Sequence, residues 1–270
     1  MTTPYAPGTT LTLQQVADLF DHALLKPELT PAEVEAGVTE IARLNAWSVC
    51  VRPSDVALAA RTIAGTTAQG APEGDGEPSR TRVCTVIGFP HGTTTTAAKV
   101  AEARQAMDDG AVELDMVLNI GRLRGGEVEA VQADITAVVA EGHAQEVPVK
   151  VILETALLDD AQKAAGCRAA EAAGADFVKT STGFAGGGAT LPDVRLMRRT
   201  VSESVQVKAS GGVRDLDTLL AMLAEGVTRI GTSSTPALLA EARERAGQDG
   251  LVVPEPRELS TADAEGSSSY

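Results

Sequence analysis

Two lysines lie inside short β-branched runs: Lys179 in Asp176-Phe177-Val178-Lys179-Thr180-Ser181-Thr182-Gly183, and Lys208 in Val205-Gln206-Val207-Lys208-Ala209-Ser210-Gly211-Gly212. Runs of this kind between helical patterns form strands covered on both faces. There an ammonium group is costly unless it is paired, neutralised or used for chemistry. Amine chemistry is therefore the first expectation. An amine must shed its proton before it attacks a carbonyl, which requires desolvation or a neighbouring cation. Lys179 and Lys208 supply that to each other if they sit at matching depth on adjacent strands, about 4.8 Å apart; one is then the nucleophile and the other the cation. Lys150, in Val149-Lys150-Val151-Ile152-Leu153-Glu154, repeats the placement, and positions 150, 179 and 208 are evenly spaced by about one strand-helix unit. For any single lysine the alternative is a salt bridge across the interior, or a stem that snorkels to the rim.

Asp115, in Glu113-Leu114-Asp115-Met116-Val117, shares a strand face with Glu113. A carboxylate beside ammonium groups stays ionised and holds a lysine or a water for proton transfer; the plainer alternative is a counter-ion. Gly211-Gly212-Val213-Arg214 follows the Lys208 run, and Gly231-Thr232-Ser233-Ser234 follows the last β-branched run. Loops after the seventh and eighth strands of a barrel often offer backbone N–H groups and a helix N-terminus to a phosphate. Arg214 adds charge, Thr182 and Gly183 complete the pocket from the sixth loop, and a ligand-free turn is the alternative for each loop. His22, His91 and His143 lack a metal-ligand spacing, so no metal is expected. Cys50, Cys84 and Cys167 are odd in number and contain no CxxC, which argues against a disulfide framework. Cys50 reads as a buried structural thiol near the end of the second strand.

Apolar runs at 46–51, 82–87, 112–118, 148–153, 175–179, 205–209 and 228–231, with a first strand near 21–25, alternate with longer helical patterns. Eight strand-helix units predict a single-domain (β/α)8 barrel, with a doubly wound open sheet as the competitor. Inward lysines leave Val149, Val151, Val205, Val207 and Ala209 facing the helices, a split that a closed barrel with a polar pocket explains. Thr30-Pro31-Ala32-Glu33 is a capping box with proline at the first helical position, and Thr235-Pro236 looks like the same device. Gly110, Gly142, Gly174 and Gly226 read as left-handed helix ends. The barrel domain is assigned to 1–251, with a short N-terminal helix and a turn-rich, mobile loop at 66–80; residues 252–270 read as a flexible tail.

The 270 residues are 43% hydrophobic and 22% charged, with a formal net charge of −14. That balance, without a basic block, argues against nucleic acid and anionic membranes as partners, but allows a small anion met by local positive potential. No leader pattern and no apolar run near the ~20 residues of a membrane span is evident, so a cytoplasmic protein is expected.

Asp21-His22-Ala23-Leu24-Leu25-Lys26-Pro27, Gly88-Phe89-Pro90-His91-Gly92, Glu113-Leu114-Asp115-Met116-Val117, Phe177-Val178-Lys179-Thr180-Ser181-Thr182-Gly183 and Lys208-Ala209-Ser210-Gly211-Gly212-Val213-Arg214 together resemble the deoxyribose-phosphate aldolases, class I Schiff-base enzymes. The resemblance runs in order from about residue 15 to about residue 240. It implies that Lys179 forms the Schiff base and that Asp115 and Lys208 relay protons. It further implies phosphate contacts from Gly183, Gly211, Gly212, Val213, Arg214, Gly231, Ser233 and Ser234, and enamine protonation by Tyr270 from the tail. The implied reaction is reversible cleavage of 2-deoxy-D-ribose 5-phosphate to glyceraldehyde 3-phosphate and acetaldehyde, in deoxyribose phosphate catabolism. The break is expected between C3 and C4 and no cofactor is needed; a homodimer or higher homo-oligomer is compatible with the sequence, which does not itself set the oligomeric state. Two positions depart from the family: Ala23 where threonine is common, and Phe184 where some members place a phosphate-binding lysine. The rival readings are a transaldolase-like Schiff-base enzyme, told apart by its preference for dihydroxyacetone as donor, and a phosphometabolite-binding protein, which would not need Lys179.

Overall fold

The computed structural model describes residues 5–66, 78–246 and 250–256. In chain order the elements are β1 (Thr10–Leu11), α1 (Leu13–Ala17), β2 (Phe20–Leu24), α2 (Pro31–Arg43), β3 (Ser48–Val51), α3 (Val56–Ala64) and β4 (Arg82–Ile87). Then come α4 (Thr96–Asp108), β5 (Glu113–Val117), α5 (Ile120–Arg124), α6 (Val128–Ala144), β6 (Val149–Ile152), α7 (Asp160–Ala172) and β7 (Phe177–Lys179). The chain continues through α8 (Leu191–Thr200), β8 (Gln206–Ser210), α9 (Leu216–Ala224), β9 (Arg229–Thr232), α10 (Thr235–Ala246) and β10 (Leu251–Val252).

Strands β2 to β9 close into a parallel barrel, β9 pairing back onto β2. This is the (β/α)8 architecture rather than an open sheet. Alternation along each strand sorts the side chains. Outward residues such as Val149, Val151, Val178, Val207 and Ala209 are fully buried in the apolar layer beneath the helices. Inward positions carry Asp21, Glu113, Asp115, Lys150, Lys179, Lys208 and Arg229, all buried, beside a small apolar group of Leu25, Cys50, Cys84 and Val86. Register brings Lys179 opposite Lys208 and Asp115 opposite Lys150.

The helix at Pro31 starts with the expected reciprocal cap: Glu33 N donates to Thr30 Oγ1 at 3.3 Å, and Thr30 N donates to Glu33 Oε2 at 2.7 Å. Thr235 does not repeat it. It is already the first residue of α10, and its buried hydroxyl has no hydrogen-bond partner among the described residues. Gly110, Gly174 and Gly226 have positive φ as expected, but Gly142 does not: it lies inside α6, and Glu146 takes the left-handed conformation at φ 58°. Gly142 instead permits close packing, because a Cβ there would stand 2.7 Å from both the Val147 carbonyl oxygen and Val149 Cγ2.

Near the chain's end, Val252 pairs with Thr10 and Val253 N donates to Thr9 O at 2.9 Å, so residues 251–253 pack back onto the N-terminal β1. The ends of the 66–80 segment are also held, by Ser79 N donating to Thr66 O and Ser79 Oγ donating to Ala42 O. Residues 67–77 and 257–270, including Tyr270, lie outside the described residues.

Candidate active site

The barrel interior is an ion-paired cluster centred on Asp115. Its Oδ2 accepts from Lys179 Nζ and from Lys208 Nζ, both at 2.7 Å, and its Oδ1 accepts from Lys150 Nζ at 2.9 Å. Lys179 and Lys208 therefore do not confront each other bare, as their adjacent strands alone suggest; one carboxylate oxygen stands between them. Lys208 Nζ also lies 2.5 Å from Asp21 Oδ2, an ion pair whose angle is too poor for a hydrogen bond. Asp21 Oδ1 accepts from Ser48 Oγ at 2.6 Å and from Arg229 at 2.8 Å. Glu113 completes the set, accepting from Lys150 at 2.5 Å, Arg229 at 3.3 Å and the Trp47 indole at 2.5 Å.

Four cations, Lys150, Lys179, Lys208 and Arg229, thus share three carboxylates, Asp21, Glu113 and Asp115. Among the described residues and within 4 Å, Lys150 has three carboxylate partners, Lys208 two and Lys179 one. Removing one proton from this cluster would leave it neutral. Burial opposes the charge on Asp115, but Lys150, Lys179 and Lys208 outweigh it and hold the carboxyl well below its ordinary range. Asp21 is likewise depressed: burial is overcome by Lys208, Arg229 and Lys150. For Lys208, burial is outweighed by Asp115 and Asp21, so its ammonium is held above the ordinary lysine range. Lys150 is raised in the same way, burial being overcome chiefly by Asp115.

Toward the C-terminal ends of the strands, the sixth, seventh and eighth barrel loops converge. Thr182 is buried, and Gly183, Gly211 and Gly212 have φ of 87°, 82° and 79°, conformations that glycine adopts without a side-chain clash. Gly231 is a residue of β9, and a Cβ there would meet Ser210 Oγ at 2.3 Å, so the loop itself begins with Ser233 and Ser234. Val213 is buried, while Arg214 and Ser233 are exposed at the rim. Ser233 lines a cavity of about 220 Å³ together with His22, Ala23, Lys26 and Phe184. His22 is buried there, and burial pushes its imidazole down to about 4, so it is neutral at pH 7. Phe184 stacks edge-on against Phe89 with ring centroids 5.3 Å apart.

Cys50 is buried in the small apolar group, and Cys84 Sγ lies 3.3 Å from Asp115 Oδ1. Cys50, Cys84 and Asp115 are the one metal-ligand grouping among the described residues. Both Asp115 oxygens are already engaged by ammonium groups, a positive setting that disfavours a metal ion. Sequence reasoning missed Asp21, Arg229 and Glu154 as members of the interior. Period-two alternation from Lys208 places Arg229 and Asp21 inward once strand register is known. Glu154 had no such signal, because it lies just beyond the end of β6.

Residues 15–245 match the family model described as DeoC/LacD family aldolase. A protein from Staphylococcus haemolyticus named deoxyribose-phosphate aldolase is 49% identical over 218 residues, which is 81% of this chain and 92% of that one. The solved structure of QR15, an aldolase, superposes with a TM-score of 0.75 at 38% identity, covering 85% of this chain and 96% of its own. A tetrameric deoxyribose phosphate aldolase from Aeropyrum pernix superposes with a TM-score of 0.72 at 28% identity, covering 87% and 93%. Among the described residues no helix is long and apolar enough to cross a membrane.

Proposed function

The chain belongs to the DeoC/LacD aldolase family, and on that premise we propose that it cleaves 2-deoxy-D-ribose 5-phosphate reversibly to glyceraldehyde 3-phosphate and acetaldehyde through a Schiff base on Lys179. The observation that carries the reading is the shared oxygen: Lys179 and Lys208 each lie 2.7 Å from Asp115 Oδ2 inside a closed barrel. Among the described residues, Lys179 is the amine with a single carboxylate partner within a cluster that carries one positive charge in excess. It is therefore assigned as the nucleophile, and Lys208, held protonated by Asp115 and Asp21, as the cation.

Lys179 Nζ adds to C1 of the open-chain sugar, and loss of water yields an iminium that draws electrons from the neighbouring bond. A water held by Asp115 and Lys208 takes the proton of the C3 hydroxyl. Atom balance puts the break at C2–C3 rather than C3–C4, because acetaldehyde retains C1 and C2 and the C3 hydroxyl oxygen becomes the aldehyde of the three-carbon product. The electron pair of that bond becomes the enamine. Protonation at C2, assigned to Tyr270, and hydrolysis then release acetaldehyde and restore the lysine. Phosphate recognition is assigned to Thr182, Gly183, Gly211, Gly212, Val213, Arg214, Gly231, Ser233 and Ser234; Ser233 shares its cavity with Lys26, a cation near the same end. No cofactor enters the scheme. A cytoplasmic homo-oligomer working in deoxyribonucleotide breakdown fits this chemistry, and light scattering would measure its size.

Incubation with acetaldehyde and borohydride, followed by peptide mapping, tests the assignment. Reduction should place a two-carbon adduct on Lys179 with loss of activity. Activity loss with Lys179 unmodified would remove it as the nucleophile.

A further inference from the structure

Glu154 stands at the end of β6 with φ 61° and ψ 64°, a left-handed conformation that disfavours any residue with a Cβ. Its neighbours hold it there: Leu153 N donates to Lys179 O at 2.9 Å and Thr155 N donates to Thr180 O at 3.0 Å. Glycine would relieve the strain, so a glutamate at this position points to a use for the side chain.

Glu154 is 1% exposed. Its Oε2 accepts from Thr182 N at 3.2 Å and, by a short bond, from Thr182 Oγ1; the same hydroxyl accepts from Phe184 N at 3.0 Å. Oε1 is buried and has no hydrogen-bond partner among the described residues. Burial raises the carboxyl, while the Thr182 bonds and the charge of Lys179 moderate that rise. The latch therefore joins β6 to the loop that carries Thr182, Gly183 and Phe184. That loop packs onward without spare room: a Cβ at Gly187 would meet Ala156 Cβ at 2.5 Å, and one at Gly188 would meet Gly211 O at 2.5 Å. Ala189 N also donates to Ser210 O and Gly211 O. Displacing Thr182 would thus shift the wall that reaches the loop after β8. Glu154, Thr182, Phe184 and His91 line one cavity of about 340 Å³.

We infer that Glu154 is a positioning residue that sets recognition of the phosphorylated acceptor aldehyde, acting through Thr182 on the loops after β7 and β8. The inference rests on the aldolase reading, in which Lys179 handles the donor carbon and these loops handle the acceptor. Thr182 and the glycines are fixed relative to the nucleophile by this carboxyl, and small displacements of such groups carry large kinetic costs.

The test is the addition of acetaldehyde to glyceraldehyde 3-phosphate, with borohydride trapping of acetaldehyde on Lys179 as the donor-side control. Glu154→Ala should raise the acceptor KM about 10-fold or more, while trapping stays within about 2-fold of the unmodified protein. Glu154→Gln keeps an oxygen for Thr182 and should restore the acceptor KM to within about 3-fold. If Glu154→Ala does not fold, Glu154→Gly, which the left-handed backbone accommodates, removes the same carboxyl and should give the same split. An unchanged acceptor KM, or trapping lost in proportion, overturns the inference while normal trapping in the unmodified protein leaves the aldolase reading intact. Absence of trapping in the unmodified protein overturns both.

Discussion

Replacing Asp115 by asparagine keeps the shape of the side chain and removes the charge that three ammonium groups share at 2.7, 2.7 and 2.9 Å. At an effective dielectric of about 20, each such contact corresponds to about 6 kcal/mol of gross attraction. Most of it is offset by desolvation, and breaking a buried pair costs a net of about 3–5 kcal/mol. The variant leaves four cations facing two carboxylates, so the folded state should discard protons from the cluster. The sign of the pH dependence follows. In the parent protein Lys150 and Lys208 titrate above their ordinary range, so their pairing contributes fully below the unfolded lysine value near 10.4 and is lost as pH rises through the folded values. Asp115 is depressed, so its contribution is present above about 3.9 and lost only as pH falls through its lowered value. In Asp115→Asn the folded state binds fewer protons than the unfolded state near neutrality, and stability rises with pH. Urea unfolding at pH 7 and at pH 9.5 measures both quantities. The variant should be weaker by about 3–5 kcal/mol at pH 7, and the gap to the parent should narrow at pH 9.5. A variant as stable as the parent at pH 7, or a gap that widens with pH, would refute the charge accounting of the barrel interior.

Lys208→Met should lower kcat by about 10²–10⁴, and equal kcat in steady-state assays would count against Lys208 as part of the proton relay. Arg214→Ala, at the rim of the loop after β8, should weaken 2-deoxyribose 5-phosphate by about 1.5–3 kcal/mol and leave unphosphorylated 2-deoxyribose unaffected; equal changes in KM for both sugars would deny it the phosphate. Gly142→Ala places a Cβ 2.7 Å from the Val147 carbonyl oxygen and Val149 Cγ2 and should cost about 1–3 kcal/mol in urea unfolding. A neutral result there would mean that α6 and β6 can move apart.

Much of the architecture is legible in the chain because it depends on local periods. Eight short apolar runs separated by helical patterns point to a barrel, and alternation puts Lys150, Lys179, Lys208, Glu113 and Asp115 on strand faces opposite the apolar ones, which closure then turns inward. The reciprocal cap at Thr30 and Glu33 is equally local, since both partners lie within one helical turn. Gly142 and Thr235 mislead for the opposite reason. A glycine near a helix end serves a tight packing contact as readily as a left-handed turn, and a Thr-Pro pair has the composition of a cap whether or not its hydroxyl finds a donor.

The pairings inside the barrel are decided only by tertiary structure. Period and spacing state which face a side chain occupies, but the distances from Lys179, Lys208 and Lys150 to one Asp115 carboxylate depend on how β5 to β8 are staggered. Asp21 and Arg229, 208 positions apart in sequence, meet because β9 closes onto β2. Glu154 lies beyond the last regular residue of its strand, where alternation ends. Its hold on Thr182 comes from a single left-handed residue, and long-range charge and backbone conformation of that kind follow from how the barrel closes, not from any pattern along the chain.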